Sequence, residues 1–145
     1  MDVLFINPGN AKRIYQDLAK DYSAIETPTW ALLLAESCRS VGYNVAILDA
    51  NAERLSNTEV VERIAELNPR LVCFVVYGQN PNSGTVNMSG TVALAADIKK
   101  FGIKAPISIV GSHVQSLPYE TLTNEKDIDI IFANEGVYAL RNLLQ

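Results

Sequence analysis

Metal-binding side chains are scarce in this 145-residue chain, which has two cysteines, Cys38 and Cys73, and one histidine, His113. So few soft ligands exclude a four-ligand zinc site and an iron–sulfur cluster held on four cysteines. Both cysteines lie inside apolar segments, where a thiol behaves as a small buried hydrophobe. Positive charge is also short: 12 Lys and Arg stand against 16 Asp and Glu, for a formal net charge of -4. That balance lacks the basic footprint that nucleic-acid phosphates require, and it disfavours anionic membranes. No apolar run approaches the ~18 residues of a membrane span. The opening Met1-Asp2-Val3-Leu4 has no basic region and leads at once into a strand-like run. No signal peptide is expected, and cytoplasmic residence is the default expectation.

Several familiar site patterns are missing too. The first strand is not followed by G-x-G-x-x-G, and there is no G-x-x-x-x-G-K-[ST], so the common nucleotide cradles are absent. There is no G-x-S-x-G nucleophile elbow. A phosphorylatable receiver domain would place an aspartate after the third strand, where Val76-Tyr77 stand instead. Glu26, Asp49 and Glu135 fall near strand ends, but no pair of them is arranged for acid–base catalysis.

What the chain does have is apolar content, 48% hydrophobic against 19% charged residues, enough for one compact core at this length. Val-, Ile- and Phe-rich runs at residues 3–6, 45–48, 71–76, 107–110 and 128–132 read as five buried strands. Between them, stripes at helical spacing predict helices that pack on the sheet. The first is Trp30, Leu33, Leu34, Cys38 and Val41; the second Val60, Val61, Ile64 and Leu67; the third Val92, Leu94, Ala95 and Ile98. Asn57 or Thr58 is expected to cap the second helix, and Gly42, Asn68-Pro69 and Gly102 to close the three. A shorter helix is expected over residues 117–122 and a last one from Glu135 through Leu144. Alternating strands and helices give a doubly wound α/β fold, one domain over residues 1–145. A flavodoxin-like parallel sheet of order 2-1-3-4-5 is the expected topology.

In such sheets ligands bind outside the carboxyl ends of the strands, where strand order reverses. Four loops meet that description: Asn7-Pro8-Gly9-Asn10, Tyr77-Gly78-Gln79-Asn80, Gly111-Ser112-His113 and Ala133-Asn134-Glu135-Gly136. Taken one at a time they are ordinary turns, since Gly, Asn and Pro end strands in any α/β protein. Together they form a rim of neutral amides and hydroxyls in which glycine lets the backbone approach a ligand closely. The stretches 9–27 and 78–88 exceed the ~2–6 residues of a usual βα connection and read as binding-loop extensions. Ile14 and Leu18 would allow a short helix in the first. His113 is the one group that titrates near neutrality, and loop duty, ligation and acid–base work are all open to it.

Read as blocks, the chain resembles the amino-terminal cobalamin-binding domain of cobalamin-dependent radical S-adenosylmethionine enzymes. The blocks are Val3-Leu4-Phe5-Ile6-Asn7-Pro8, Pro28-Thr29-Trp30-Ala31-Leu32-Leu33-Leu34-Ala35 and Gly42-Tyr43-Asn44-Val45-Ala46-Ile47-Leu48-Asp49-Ala50. Leu67-Asn68-Pro69, Val110-Gly111-Ser112-His113-Val114, Asp127-Ile128-Asp129-Ile130-Ile131 and Asn134-Glu135-Gly136-Val137-Tyr138-Ala139-Leu140 continue the likeness over nearly the whole chain. The resemblance implies that the lower nucleotide tail of cobalamin enters between the first and third strands while the corrin ring lies across the carboxyl edge. Asn7, Pro8, Gly9, Tyr77, Gly78, Gln79, Gly111, Ser112, His113, Asn134, Glu135 and Gly136 would then contact the cofactor.

Where histidine-ligating corrinoid domains carry D-x-H-x-x-G, this chain has Asn7-Pro8-Gly9-Asn10. The resemblance therefore implies cobalamin bound with its base off the metal and no protein histidine on cobalt. Two further departures are Gly111-Ser112 for a frequent Gly-Gly pair and Asn134-Glu135-Gly136 for Gly-Glu-Gly. The family's catalytic domain, with its iron–sulfur cluster and S-adenosylmethionine, would follow this one in a longer enzyme and carry out methyl transfer or related radical chemistry. Binding, and no catalysis, is expected from these residues alone. The competing expectation is a fold-only domain that mediates protein contacts or binds another small ligand, and a spectrum with added cobalamin separates the two.

Overall fold

The computed structural model describes residues 1–9, 25–77 and 81–145, with backbone alone at 81–84 and 86. The proposed short helix at Ile14 and Leu18 falls outside those residues, as do Gly78 and Gln79. Five strands form one parallel sheet: β1 (Val3–Asn7), β2 (Val45–Asp49), β3 (Leu71–Val76), β4 (Ile107–Gly111) and β5 (Ile130–Phe132). Their order is β2-β1-β3-β4-β5, the expected flavodoxin-like arrangement, so strand order reverses between β1 and β3. Helices α1 (Thr29–Arg39), α2 (Asn57–Leu67) and α3 (Pro81–Phe101) link the strands. Two short helices, α4 (Ser112–Ser116) and α5 (Pro118–Asn124), follow β4, and α6 (Val137–Leu143) follows β5.

The side-chain period of two along each strand divides the core into two layers. Leu4 and Ile6 of β1, Val72, Phe74 and Val76 of β3, and Ile107 and Ile109 of β4 pack with Val60, Val61 and Ile64 of α2 and Leu94, Ala95 and Ile98 of α3. On the opposite face, Val3, Phe5, Leu71, Cys73, Val75 and Val110 pack with Ala31, Leu34, Ala35 and Cys38 of α1 and Leu140 of α6. β1 and β3, flanked on both sides, are sealed, whereas the edge strand β2 keeps one fully buried residue, Leu48. A buried aliphatic or aromatic side chain contributes roughly 1.5–3 kcal/mol, so the two layers supply most of the favourable free energy.

The helices depart from expectation in four places. On α1 the buried stripe is Ala31, Leu34, Ala35 and Cys38, while Trp30, Leu33 and Val41 are 40%, 55% and 44% exposed. Alanines let the helix lie close to the sheet, and the larger residues beside them turn outward. On α2, Leu67 also sits partly outside, at 38%. The α2 cap is Ser56, not Asn57 or Thr58: its hydroxyl accepts from the Glu59 N–H while the Glu59 carboxylate accepts from the Ser56 N–H, a full capping box. Finally, the turn-rich segment expected to be loop as far as residue 88 is helical from Pro81 onward in the 21-residue α3. Proline is tolerated in a first helical turn because its missing N–H has no partner there anyway.

Candidate functional site

The carboxyl ends of β1 and β2 are latched to each other. Asn7 and Asp49 are register partners, and Asn7 Nδ2 donates to Asp49 Oδ1 at 2.8 Å. The same carboxylate oxygen accepts the Ala52 N–H at 3.0 Å, which shapes the turn after β2. Pro8 is buried. At Gly9 an added Cβ would lie 3.1 Å from the Ala50 carbonyl oxygen and 3.3 Å from Asn51 Cα, so the two loops touch through backbone. Asp49 thus has a structural partner on the first rim loop, which accounts for its polar character at a strand end.

Tyr77, directly after β3, is the meeting point of the rim. Its ring stacks on Trp30 of α1 with centroids 4.7 Å apart and planes 23° apart, within the range of favourable aromatic pairs. Its hydroxyl accepts a 2.9 Å hydrogen bond from Gln115 Nε2 of α4. Burial raises the phenol above its ordinary pKa, the Glu135 carboxylate after β5 adds to the rise, and the Gln115 hydrogen bond opposes it. One half-buried side chain therefore joins α1, β3 and α4. The structure gives Tyr77 two partners that the sequence reading did not name, Trp30 and Gln115. Both additions were hidden because Trp30 fits the helical core stripe and Gln115 has no turn or motif around it.

Across the crevice wall, β4 leans hard on β3. A Cβ at Gly111 would overlap the Val76 carbonyl. The Gly111 backbone is extended, a conformation open to any residue, so glycine is required here by space and not by φ. The next residue, Ser112, buries its Oγ without a hydrogen-bond partner among the described residues. An unmade hydrogen bond of this kind costs about 1–3 kcal/mol, and native folds keep few of them. At the far side of the rim, Asn134 Oδ1 accepts the Gly136 N–H at 2.8 Å. Gly136 itself holds φ at +79°, the left-handed region that favours glycine, and starts α6.

His113 is in the first turn of α4 and not in an open loop. Its Nδ1 lies 3.2 Å from Thr85 Oγ1 of α3. It lines a cavity of about 490 Å³ between α3 and α5, with Met88, Val92, Leu117 and Glu120 among the walls. Its contacts therefore belong to the α3 side of β4. Among the described residues no group of three or more His, Cys, Asp or Glu is placed to hold a metal ion.

Both cysteines are free and buried in the layer facing α1 and α6. Burial raises the Cys38 thiol and pushes that of Cys73 up to about 12. The thiolate is the reactive form, so at pH 8 the Cys73 thiolate is held to roughly one part in 10⁴. The native chain is expected to leave an aromatic disulfide reagent at pH 8 almost unreacted, while the urea-unfolded chain titrates two thiols. Rapid reaction of the native chain would mean that the α1 face of the sheet opens in solution.

The comparisons with known proteins agree with this fold. The radical S-adenosylmethionine methyltransferase TsrM from Kitasatospora setae, solved with cobalamin and a [4Fe-4S] cluster, superposes with a TM-score of 0.72 at 19% identity. The superposition covers 99% of this chain and 24% of that one. The same enzyme with tryptophan substrate and an S-adenosylmethionine analogue gives 0.71 at 19% identity over 98% and 25%. The chain thus spans about a quarter of TsrM. The monomethylamine corrinoid protein of Methanosarcina barkeri gives 0.58 at 15% identity, over 98% of this chain and 57% of that one. At these identities the likeness is one of fold. No curated protein sequence matches. The family of B12 binding domains, however, matches by its sequence model over residues 16–144, nearly the full length. The chain belongs to the B12 binding domain family.

Proposed function

We propose that this domain binds cobalamin with the dimethylbenzimidazole base off the metal, its nucleotide tail entering between β1 and β3 and its corrin ring over the strand ends. Family membership over residues 16–144 is the observation that carries the reading. The residues present fit such a ligand. The reversal of strand order between β1 and β3 supplies the crevice. Gly9 and Gly111, packed against backbone, keep the rim free of side-chain bulk, and the buried Ser112 hydroxyl has a hydrogen bond to give. Asn7, Pro8, Gly9, Tyr77, Gly111, Ser112, Asn134, Glu135 and Gly136 make up the described part of that rim. Gly78 and Gln79 belong to it by sequence. His113 would stand at its α3 side.

No histidine follows β1, where histidine-ligating domains carry theirs, and His113 stands after β4 with its Nδ1 near Thr85, so in this reading cobalt takes no imidazole from this chain. Bound cobalamin would carry a methyl group or electrons for a radical S-adenosylmethionine domain with its own iron–sulfur cluster. The spans shared with TsrM make such a domain the natural partner, with residues 1–145 as the amino-terminal part of a longer enzyme. Two free cysteines suit the reducing cytoplasm.

Electron paramagnetic resonance of cob(II)alamin tests the reading. In the free cofactor at neutral pH the base nitrogen splits the cobalt lines. Addition of the chain is expected to remove that nitrogen splitting, and His113→Ala should behave identically. Retention of the free spectrum overturns the binding mode. Nitrogen splitting in the complex that disappears in His113→Ala would make His113 a cobalt ligand.

A further inference from the structure

We infer that Ser112 makes this site selective for corrinoids with a complete nucleotide tail, its hydroxyl hydrogen-bonding to that tail. The inference rests on the cobalamin reading above and extends it to ligand specificity.

Ser112 Oγ is a buried polar atom with no partner among the described residues. Among the described residues, several neighbouring polar groups have partners of their own. Gln115 Nε2 donates to Tyr77, Asn134 Oδ1 accepts from Gly136, and Ser116 Oγ donates to the Ser112 carbonyl and leaves the Ser112 hydroxyl alone. Thr121, also buried, satisfies its hydroxyl on the Leu117 carbonyl at 2.6 Å, and Ser108 satisfies its own on the Val72 carbonyl at 3.1 Å. Ser112 stands apart from these neighbours, and it follows β4, the strand beside β3, on the same carboxyl edge where the order of strands reverses. Because the hydroxyl is shielded from solvent, a group that reaches it has to pass below the rim. A corrin ring lying across the strand ends does not do so, whereas a tail inserted into the crevice does. The tail carries ribose hydroxyls, a phosphodiester and the base nitrogens, and a serine hydroxyl can donate to or accept from these.

A hydroxyl with a partner inside the chain and a hydroxyl reserved for a ligand respond oppositely to removal. Replacing an unpaired buried hydroxyl by a methyl-sized group is neutral or stabilising, whereas breaking an internal hydrogen bond destabilises. The experiment compares the 145-residue chain with Ser112→Ala, without ligand by thermal unfolding and with cobalamin and tail-less cobinamide by spectroscopic titration. Expected are an unliganded melting temperature equal to or above that of the unchanged chain, cobalamin affinity lowered by about tenfold, and unchanged cobinamide affinity. Unchanged cobalamin affinity in the variant overturns the inference while the cobalamin reading stands. An equal loss for both corrinoids places the contact on the ring and overturns it as well. So does a lower unliganded melting temperature, which would mean that the hydroxyl has a structural partner. If the unchanged chain binds neither corrinoid, the cobalamin reading itself falls and the inference falls with it.

Discussion

Gly111→Val should melt roughly 10 °C or more below the unchanged chain. The added Cβ would overlap the Val76 carbonyl at the β3–β4 contact. Overpacking against side chains costs about 1–3 kcal/mol because they can turn away. Here the obstacle is backbone held in a ladder that pairs Val76 with Gly111, so one strand has to move and the cost reaches the top of that range or beyond. Against a total stability of about 5–15 kcal/mol, a loss near 3 kcal/mol corresponds to the stated shift for a domain of this size. Circular dichroism during heating measures it. A melting temperature close to that of the unchanged chain would mean that β3 and β4 do not approach as described. The crevice wall next to Ser112 would then have to be redrawn.

Phe74→Ala is expected to be comparably severe for the opposite reason, a hole instead of a clash. Phe74 is fully buried at the middle of β3, in the layer shared with Ile64 of α2 and Ile98 of α3. Truncating a buried aromatic to alanine costs about 3–5 kcal/mol, because the surroundings collapse only partly into the cavity. β3 also forms one side of the β1–β3 crevice, so cofactor binding should weaken together with stability. Tyr119→Ala serves as the contrast. That side chain is 84% exposed and should leave the melting temperature unchanged. Urea titration of the two variants gives the free energies directly, and a loss below about 1 kcal/mol at Phe74 would contradict the assignment of this face as core.

How much of this was readable beforehand depends on the kind of signal. β3 was legible to the residue, because Leu71–Val76 is a continuous apolar run and is buried at each of its six positions. The parallel, doubly wound sheet was legible from the alternation of strands and helices, and the flavodoxin-like order chosen among such sheets is the one found. Helix faces were less so. Periodicity cannot tell that Ala31 and Ala35 face the sheet while Leu33 faces out, since both sets recur at helical spacing and close packing decides between them. The α3 start was missed because Pro81-Asn82-Ser83-Gly84 has turn composition, yet the helix begins at Pro81.

At the candidate site, the strand-end segments stood out in the sequence as clusters of Gly, Asn and Ser, of which the one after β3 is described only at Tyr77. Their internal wiring did not stand out. The stacking of Trp30 on Tyr77 joins residues 47 positions apart, and the hydrogen bond from Gln115 to Tyr77 spans 38. The isolation of the Ser112 hydroxyl is a property of everything around it and cannot be read from serine itself.

The account as a whole turns on whether these 145 residues hold a corrinoid. Hydroxocobalamin is mixed with the chain in slight excess, the mixture is passed through a desalting column, and the absorption spectrum and corrinoid content of the protein fraction are recorded. Near-equimolar corrinoid with a spectrum shifted from that of the free cofactor is the predicted result, accompanied by a higher melting temperature because the ligand binds the folded state. A colourless protein fraction, with the free cofactor's spectrum unchanged before the column, would contradict the account.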